Sequence, residues 1–209
     1  MLDLKKNLQF AIESAKLAGN FLSENYSKEL DVVMDEGKDI KLKVDQEAEK
    51  IITNFLSSRS NIPIMGEEFG ASQELEGDFW LIDPLDGTSN FFRNIPICAV
   101  SVALIQKNIP VIGVINDFLN QKLYFAIKGG GAFCNEEIIK TSSVTKKNKG
   151  TLVTGIPARE SYTEEDFRDI ISQFQDWKKV RMIGSATIAN ILVATGSADM
   201  YREDGIFFW

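Results

Sequence analysis

The sequence predicts a layered fold of mixed helices and strands, in the α/β or α+β class. Apolar residues recur at helical spacing in four segments and at strand spacing in several short runs between them. The helices and strands alternate irregularly, and the 209 residues contain no repeat and no low-complexity tract. A chain of this length can bury roughly 70% of its unfolded surface, so folding alone requires no disulfide or structural metal.

Two amphipathic helices are predicted near the N-terminus. The first covers residues 4–26, and the second runs from about residue 45 to 58. Asp45 lies in the first turn of the second helix, where the helix dipole favours negative charge. Between the helices, residues 40–44 alternate apolar side chains with lysines, as in an edge strand or a turn.

Short strands separated by turns occupy the middle of the chain. The close spacing of the last three predicts an antiparallel meander. The glycine run at 129–131 indicates a tight hairpin, because it lacks the Gly-Lys-Ser/Thr ending of a phosphate loop. The predicted strands cover residues 62–65, 79–83, 97–105, 110–115 and 122–127.

The C-terminal part is predicted to alternate strands, at 151–156 and 181–184, with helices. Thr163, with Asp166 three residues later, caps a helix that reaches residue 177. A last helix starts at Ser185 and stops at Gly196. We expect two lobes, residues 1–140 with the functional site and residues 141–209. The stripe predicted to be buried on the first of these helices is Phe167, Ile170, Ile171, Phe174 and Trp177.

The composition excludes several classes of function. The chain has no histidine, which rules out Ser-His-Asp and Cys-His catalysis and histidine-bound zinc. The net charge of -7 argues against a general nucleic-acid or anionic-membrane binder. No apolar run approaches the roughly 20 residues of a membrane-spanning helix. Chemistry is therefore left to carboxylates, hydroxyls, lysine, backbone dipoles and oxygen-bound metals.

The two cysteines, Cys98 and Cys134, are isolated in apolar contexts. They predict two buried, reduced thiols in a cytoplasmic protein. Two thiolates cannot form an all-cysteine zinc site, and neither cysteine is followed by Arg six residues later, as a cysteine-dependent phosphatase loop requires.

The most informative stretch holds four acidic residues between positions 66 and 90. Glu67 and Glu68 follow one predicted strand, while Asp83 ends another and Asp86 comes three residues later on a tight turn. The residues after this turn are predicted to open a short helix, whose free N–H groups attract phosphate. Clustered carboxylates repel unless a cation or a proton lies among them, and oxygen ligands suit Mg²⁺. The stretch favours metal-assisted phosphoryl chemistry, although Asp-Gly and Glu-Glu pairs also occur in ordinary turns and solvated loops.

These motifs resemble the inositol monophosphatase family of Mg²⁺-dependent, lithium-sensitive phosphatases. The resemblance implies alternating helix and sheet layers of the sugar-phosphatase type and two or three Mg²⁺ ions. It also implies a small phosphorylated substrate, and members of the family are often homodimers. The matching segments are KVDQEAE at 43–49, GEE at 66–68, WLIDPLDGTSNF at 80–91, KGGGAFCN at 128–135 and GSADMYRE at 196–203.

The resemblance implies a metal-binding set around the tight turn. Glu67, Asp83 and the backbone carbonyl of Leu85 resemble the ligands of a first Mg²⁺. Asp83 resembles a bridge to a second ion, which Asp86 holds. Glu68 is expected to lie outside the ligand set.

The resemblance also implies catalytic and substrate-binding roles. Asp45 and Thr88 resemble the pair that orients and deprotonates the attacking water, and Glu67 is counted with them as catalytic. The N–H groups of Gly87 and Thr88 resemble those that bind the phosphate. The remaining substrate contacts are expected at Gly184, Ser185, Ala186 and Glu203.

The sequence departs from the family pattern at Trp209. In the family, the matching Trp is followed by an Asp that ligates the second metal, and the sequence stops before it. We therefore expect either a fragment of a longer protein or a truncated chain of uncertain activity. In either case residues 206–209 are expected to form an exposed apolar edge.

The expected reaction is hydrolysis of a phosphate monoester of a small polyol or sugar, most closely an inositol monophosphate. Two alternatives within the class are a 3'(2'),5'-bisphosphate nucleotidase and a fructose-1,6-bisphosphatase. An alternative from another class is a non-catalytic relative that binds metal or phosphate, which the absent ligand after Trp209 favours.

Overall fold

The computed structural model describes residues 2–36, 39–72, 77–156 and 161–203. Helices α1 (Leu4–Asn25) and α2 (Lys43–Ser57) pack together on one face of a mixed sheet. A hairpin of β1 (Val32–Glu36) and β2 (Asp39–Leu42) connects the two helices. The mixed helix and sheet layers confirm the predicted fold class.

The main sheet has eight strands within the described residues, in the order β10-β9-β8-β7-β6-β5-β3-β4. Strands β3 and β5 are parallel, and every other neighbouring pair is antiparallel. The predicted meander is confirmed by β6, β7 and β8. The strands are β3 (Ile64–Gly66), β4 (Gly70–Ala71), β5 (Phe79–Asp86), β6 (Ala99–Gln106), β7 (Ile109–Asp117), β8 (Lys122–Ile127), β9 (Gly131–Cys134) and β10 (Glu137–Ile138).

Small side chains let α1 approach the sheet closely. Ala11, Ala15 and Ala18 on its inner face are fully buried. Asn116 of β7 donates a hydrogen bond from Nδ2 to the carbonyl of Ala15, at 2.9 Å. The same amide packs against Gly19, where no larger side chain fits. The contact anchors α1 to the main sheet at β7, two strands away from β5.

Strand β5 is buried from Phe79 to Leu85 because both of its faces are covered. Its pairing with β6 shifts between Asp83 and Asp86. The shift spans Pro84, which has no N–H to continue the ladder. A buried strand therefore ends in an irregular turn that carries two carboxylates.

A second sheet contains three parallel strands within the described residues, with β11 in the centre. Hydrogen bonds join the first part of the chain to residues 183–187 of the second: Asn90 donates to carbonyl groups there, and Asp86 accepts N–H and hydroxyl groups. The division into lobes at residue 140 stays a prediction. The elements are α3 (Thr88–Phe92), a 3-10 turn (Lys147–Lys149), β11 (Thr151–Thr154), α4 (Glu164–Gln175), β12 (Lys179–Met182), α5 (Ala186–Ala194) and β13 (Met200–Arg202).

Several local predictions are confirmed. Thr163 and Asp166 form a reciprocal capping box, and Ser185 caps α5. Gly196 follows the end of α5 with a φ of 74°, the left-handed conformation that glycine adopts without strain. Helix α2 begins two residues earlier than expected, so Asp45 is its third residue.

The prediction of a buried apolar stripe on α4 is wrong. No residue of α4 is buried; Phe167 is 44% exposed and Ile171 is 55% exposed. Ile170, Phe174 and Trp177 are half-buried. Helical periodicity identified the apolar side of α4, but burial depends on what packs against that side.

The prediction of two buried thiols is also corrected. Cys98 is buried, whereas Cys134, on β9 near the edge of the main sheet, is half-buried. Within the described ranges, no helix combines the length and apolar character needed to cross a bilayer. The apolar edge predicted at residues 206–209 lies outside the described residues.

Candidate active site

The candidate site lies where β3 and β5 end at the same edge of the main sheet. Because these strands run parallel, Glu67, just after β3, comes close to Asp83 near the end of β5. The two carboxyl groups interact electrostatically; Asp83 is buried, whereas Glu67 is half-buried. The structure thus brings together the two acidic residues on which the sequence prediction depends.

Burial destabilises the state in which Glu67 and Asp83 are both ionised. Desolvation, followed by the charges of Glu67 and Asp86, raises the pKa of Asp83 well above its ordinary value. The N–H of Leu85 donates to Asp83 Oδ1 at 3.0 Å and opposes part of this shift. Burial also raises the pKa of Glu67. A cation bound beside the two carboxyl groups would stabilise their charged forms and oppose this shift.

Asp86 lies within electrostatic range of this pair but directs its carboxylate to the start of α5. It accepts hydrogen bonds from the hydroxyls of Ser185 and Thr187, from the N–H of Thr187 at 2.8 Å and from the N–H of Ala186 at 3.3 Å. In the described part of the chain, no three acidic or cysteine side chains converge into a closed metal-ligand set. Of the predicted ligands, Glu67 and Asp83 lie beside each other. Hydrogen bonds from the start of α5 orient the carboxylate of Asp86.

Asp45 is buried at the start of α2. Its Oδ2 accepts the N–H of Leu42 at 3.1 Å, while its Oδ1 is buried without a hydrogen-bond partner. Burial raises the pKa of Asp45 to about 8, and the charges of Glu68 and Glu67 act in the same direction. The unused oxygen could accept a proton once the charge of a bound cation lowers this pKa.

The turn after β5 exposes backbone groups at the start of α3. Gly87 has a φ of 86°, and an added Cβ would lie 2.7 Å from the carbonyl oxygen of Ile97, so only glycine fits. The Thr88 hydroxyl donates to the carbonyl of Leu85 at 3.0 Å. Asp45 and Thr88, predicted to act as a pair, share no hydrogen bond in the described structure.

The predicted substrate-contact residues gather around Asp86. Ser185 and Ala186 both donate to its carboxylate, as described above. The Gly184 carbonyl accepts a hydrogen bond from Asn90 Nδ2 at 3.2 Å. Glu203 lies within electrostatic range of Asp86 and accepts the Tyr201 hydroxyl at 2.9 Å. Burial raises the pKa of Glu203, and the charge of Asp86 raises it further.

Sequence reasoning missed Glu49. This buried residue accepts the N–H of Glu68 at 2.8 Å and the N–H of Phe69 at 3.1 Å, which fixes the loop that carries Glu67. Its position four residues after Asp45, on the buried face of α2, was a usable signal.

Three other residues were also missed, and their contacts are long-range. Asn90 donates to the carbonyls of Ile97 and Ile183, both at 2.8 Å. Thr187 donates to Asp86, and Lys41 pairs with Glu68. No local pattern in the sequence points to these partners.

The donor set fits a hard divalent cation. The groups at the site are carboxylate and carbonyl oxygens, which Mg²⁺ prefers. Two buried carboxylate oxygens, Asp45 Oδ1 and Glu68 Oε2, have no hydrogen-bond partner within the described residues. A bound cation would compensate the unsatisfied buried oxygens and would oppose the raised carboxyl pKa values.

Glu67 lies beside the buried Asp83, and Asp86 accepts N–H groups at the start of α5; this arrangement suits the binding of a cation and a phosphate ester. The chain belongs to the inositol monophosphatase family, whose family model matches residues 3–209. This is a family of phosphoric monoester hydrolases of the inositol-phosphatase type.

Named relatives and a solved structure resemble nearly the whole chain. The Nus factor SuhB of Xylella fastidiosa is 35% identical over 98% of this chain and 76% of its own length. Human inositol monophosphatase 1 is 32% identical over 97% of this chain and 76% of its own length. The crystal structure of the extragenic suppressor protein suhB of Bartonella henselae matches with a TM-score of 0.87 and 30% identity, covering 99% of this chain and 81% of that one.

Proposed function

We propose that the chain hydrolyses the phosphate monoester of a small polyol, with an inositol monophosphate as the closest substrate and Mg²⁺ as the cofactor. The observation that carries this proposal is the parallel pairing of β3 with β5, which brings Glu67 beside the buried carboxyl group of Asp83. Burying two acids together costs free energy that a bound divalent cation offsets.

The proposed metal ligands are the residues around this pair. Glu67, Asp83 and the Leu85 carbonyl would hold the first Mg²⁺, and Asp83 with Asp86 would hold a second; the family resemblance implies two or three ions. Bound Mg²⁺ supplies positive charge that offsets the charge developing on the phosphate oxygens and on the leaving oxygen.

We assign proton transfer to Asp45. Its Oδ1 is unpartnered, and the charge of a nearby Mg²⁺ would lower the pKa that burial raises, which would leave the carboxylate ionised and able to accept a proton. Thr88 would orient the attacking water through its hydroxyl, which lies at the start of α3. Glu67, whose carboxyl group borders both Asp45 and Asp83, would contribute to the same step.

The phosphate and the alcohol would bind on opposite sides of the turn after β5. The N–H groups of Gly87 and Thr88, at the start of α3, would donate to the phosphate oxygens. The segment Gly184–Ala186 and the carboxylate of Glu203 would contact the polyol hydroxyls. The Tyr201 hydroxyl donates to Glu203 Oε2 at 2.9 Å, which would orient the carboxylate for this contact.

A phosphate-release panel tests this proposal. An inositol monophosphate, adenosine 3',5'-bisphosphate and fructose 1,6-bisphosphate are each supplied with Mg²⁺ and, separately, with EDTA. We expect Mg²⁺-dependent release that is fastest from the inositol phosphate. Faster release from either bisphosphate would assign the chain to that branch. Binding of Mg²⁺ and phosphate by calorimetry without turnover would support the non-catalytic alternative.

We also propose that the chain is cytoplasmic and forms a homodimer. The family resemblance supports the dimer, and the free cysteines Cys98 and Cys134 fit a reducing compartment. Sedimentation equilibrium of the purified chain measures the oligomeric state.

A further inference from the structure

Lys41 places an ammonium group beside the acidic loop of the candidate site. Its Nζ lies 3.0 Å from Glu68 Oε1, and it comes from β2, on the hairpin between the two helices. The Glu68 side chain is only 4% exposed, and the Lys41 side chain is 26% exposed. The pair is therefore largely removed from solvent, unlike a typical surface ion pair.

The same ammonium acts on three further carboxyl groups. Its positive charge lowers the pKa of Asp45, of Glu49 and of Glu67 against the larger effect of burial. A hydrogen bond also joins Glu49 to this loop, because Glu49 accepts the backbone N–H of Glu68 and thereby positions the residue after Glu67. We call Asp45, Glu49, Glu67 and Glu68 the acidic cluster.

We propose that the positive charge of Lys41 stabilises the acidic cluster in the metal-free protein. The same charge lowers the affinity of the cluster for Mg²⁺. This inference rests on the proposed function, because Mg²⁺ is the cation expected at Glu67. Two opposite effects follow from one charge. The ammonium stabilises the buried carboxylates, and it repels a divalent cation that binds beside them.

Removal of the charge should therefore change stability and metal affinity in opposite directions. Without Lys41, Glu68 would remain buried with no cationic partner, which destabilises the metal-free fold. Mg²⁺ would then meet less repulsion and would relieve more uncompensated negative charge on binding. A residue with only a structural role would lower stability without strengthening Mg²⁺ binding.

Lys43 provides a matched control close to Lys41 in the sequence. It lies two residues after Lys41 and pairs with Asp31 at 3.5 Å, but the two side chains are 57% and 80% exposed. Solvent screens this pair, so the loss of its charge should alter neither property.

The experiment compares Lys41→Met, Lys41→Arg and Lys43→Met with the wild-type chain. The melting temperature is measured in EDTA, and the Kd for Mg²⁺ is measured by titration calorimetry without substrate. We expect Lys41→Met to melt at a lower temperature and to bind Mg²⁺ roughly threefold to tenfold more tightly. Lys41→Arg keeps the charge and should resemble the wild type, as should Lys43→Met.

Unchanged or weaker Mg²⁺ binding by Lys41→Met, at a lowered melting temperature, overturns the inference and leaves the proposed function intact. If the wild-type chain itself binds no Mg²⁺, both the inference and the proposed cofactor are overturned. If Lys41→Met fails to fold, Lys41→Gln provides the same comparison, because its amide can still donate to Glu68 but carries no charge.

Discussion

Asp86 accepts a hydrogen bond from the backbone N–H of Thr187 at 2.8 Å, although the two residues lie 101 positions apart in the sequence. The Thr187 and Ser185 hydroxyls donate to the same carboxylate. The contact attaches the end of β5 to the free N–H groups at the start of α5. A proposed metal ligand and the proposed substrate segment therefore form one hydrogen-bonded unit.

The Thr187 hydroxyl should position Asp86 for catalysis. Thr187→Ala removes one donor to a charged group, and we expect kcat/KM for phosphate release to fall roughly tenfold. Thr187→Ser keeps the hydroxyl and is the matched control, with near wild-type kinetics. Equal kinetics for all three proteins would show that Asp86 needs no support from this side chain.

Asp83→Asn should abolish Mg²⁺-dependent phosphate release. The amide occupies the same volume but cannot provide the negative charge that binds a cation. A ligand that binds only the folded state raises the melting temperature, so the variant should also lose the Mg²⁺-induced rise seen in the wild type. Asp176→Asn, at an exposed carboxylate outside the site, is the control. Wild-type turnover by Asp83→Asn would refute the site assignment.

The stability of the metal-free chain should decrease with pH because of Asp45. Its pKa rises on folding from an ordinary 3.8 to about 8. The group therefore favours the folded state fully below pH 3.8, and this contribution is lost as the pH rises through about 8. Asp45→Asn removes the titration, so its free energy of unfolding should exceed that of the wild type at pH 8 but not at pH 4.

Urea unfolding in EDTA at several pH values between 4 and 8 measures this difference. Asp31→Asn, at an exposed carboxylate, should follow the wild-type curve throughout. If the free energies of unfolding of Asp45→Asn and the wild type changed with pH in the same way, the raised pKa of Asp45 would be contradicted.

Glu49 should contribute strongly to folding through the loop that carries Glu67. Glu49→Ala leaves the N–H groups of Glu68 and Phe69 without their acceptor, at a cost of about 2 to 4 kcal/mol in the free energy of unfolding. Denaturant titration measures the loss, and Glu47→Ala on the same helix is the control. A change below about 0.5 kcal/mol would mean that water replaces the carboxylate without cost.

Local chemistry made much of the fold predictable. The capping box at Thr163 and Asp166, the cap at Ser185 and the glycine after α5 depend on neighbours within a few residues. The meander of β6, β7 and β8 follows from short turns between apolar runs. The acidic motif around Asp83 was also visible, because its residues are adjacent in the sequence.

Tertiary structure alone decided which distant groups meet. The parallel pairing of β3 with β5 brings Glu67 to Asp83, and the packing of α5 against the end of β5 directs Asp86 to Thr187. The same holds for the ion pair of Lys41 with Glu68 and for the exposed side of α4. Residue type and spacing determine which conformations and charges a segment can have. Burial and pairing depend on what lies opposite, and that is set by contacts between segments far apart in the chain.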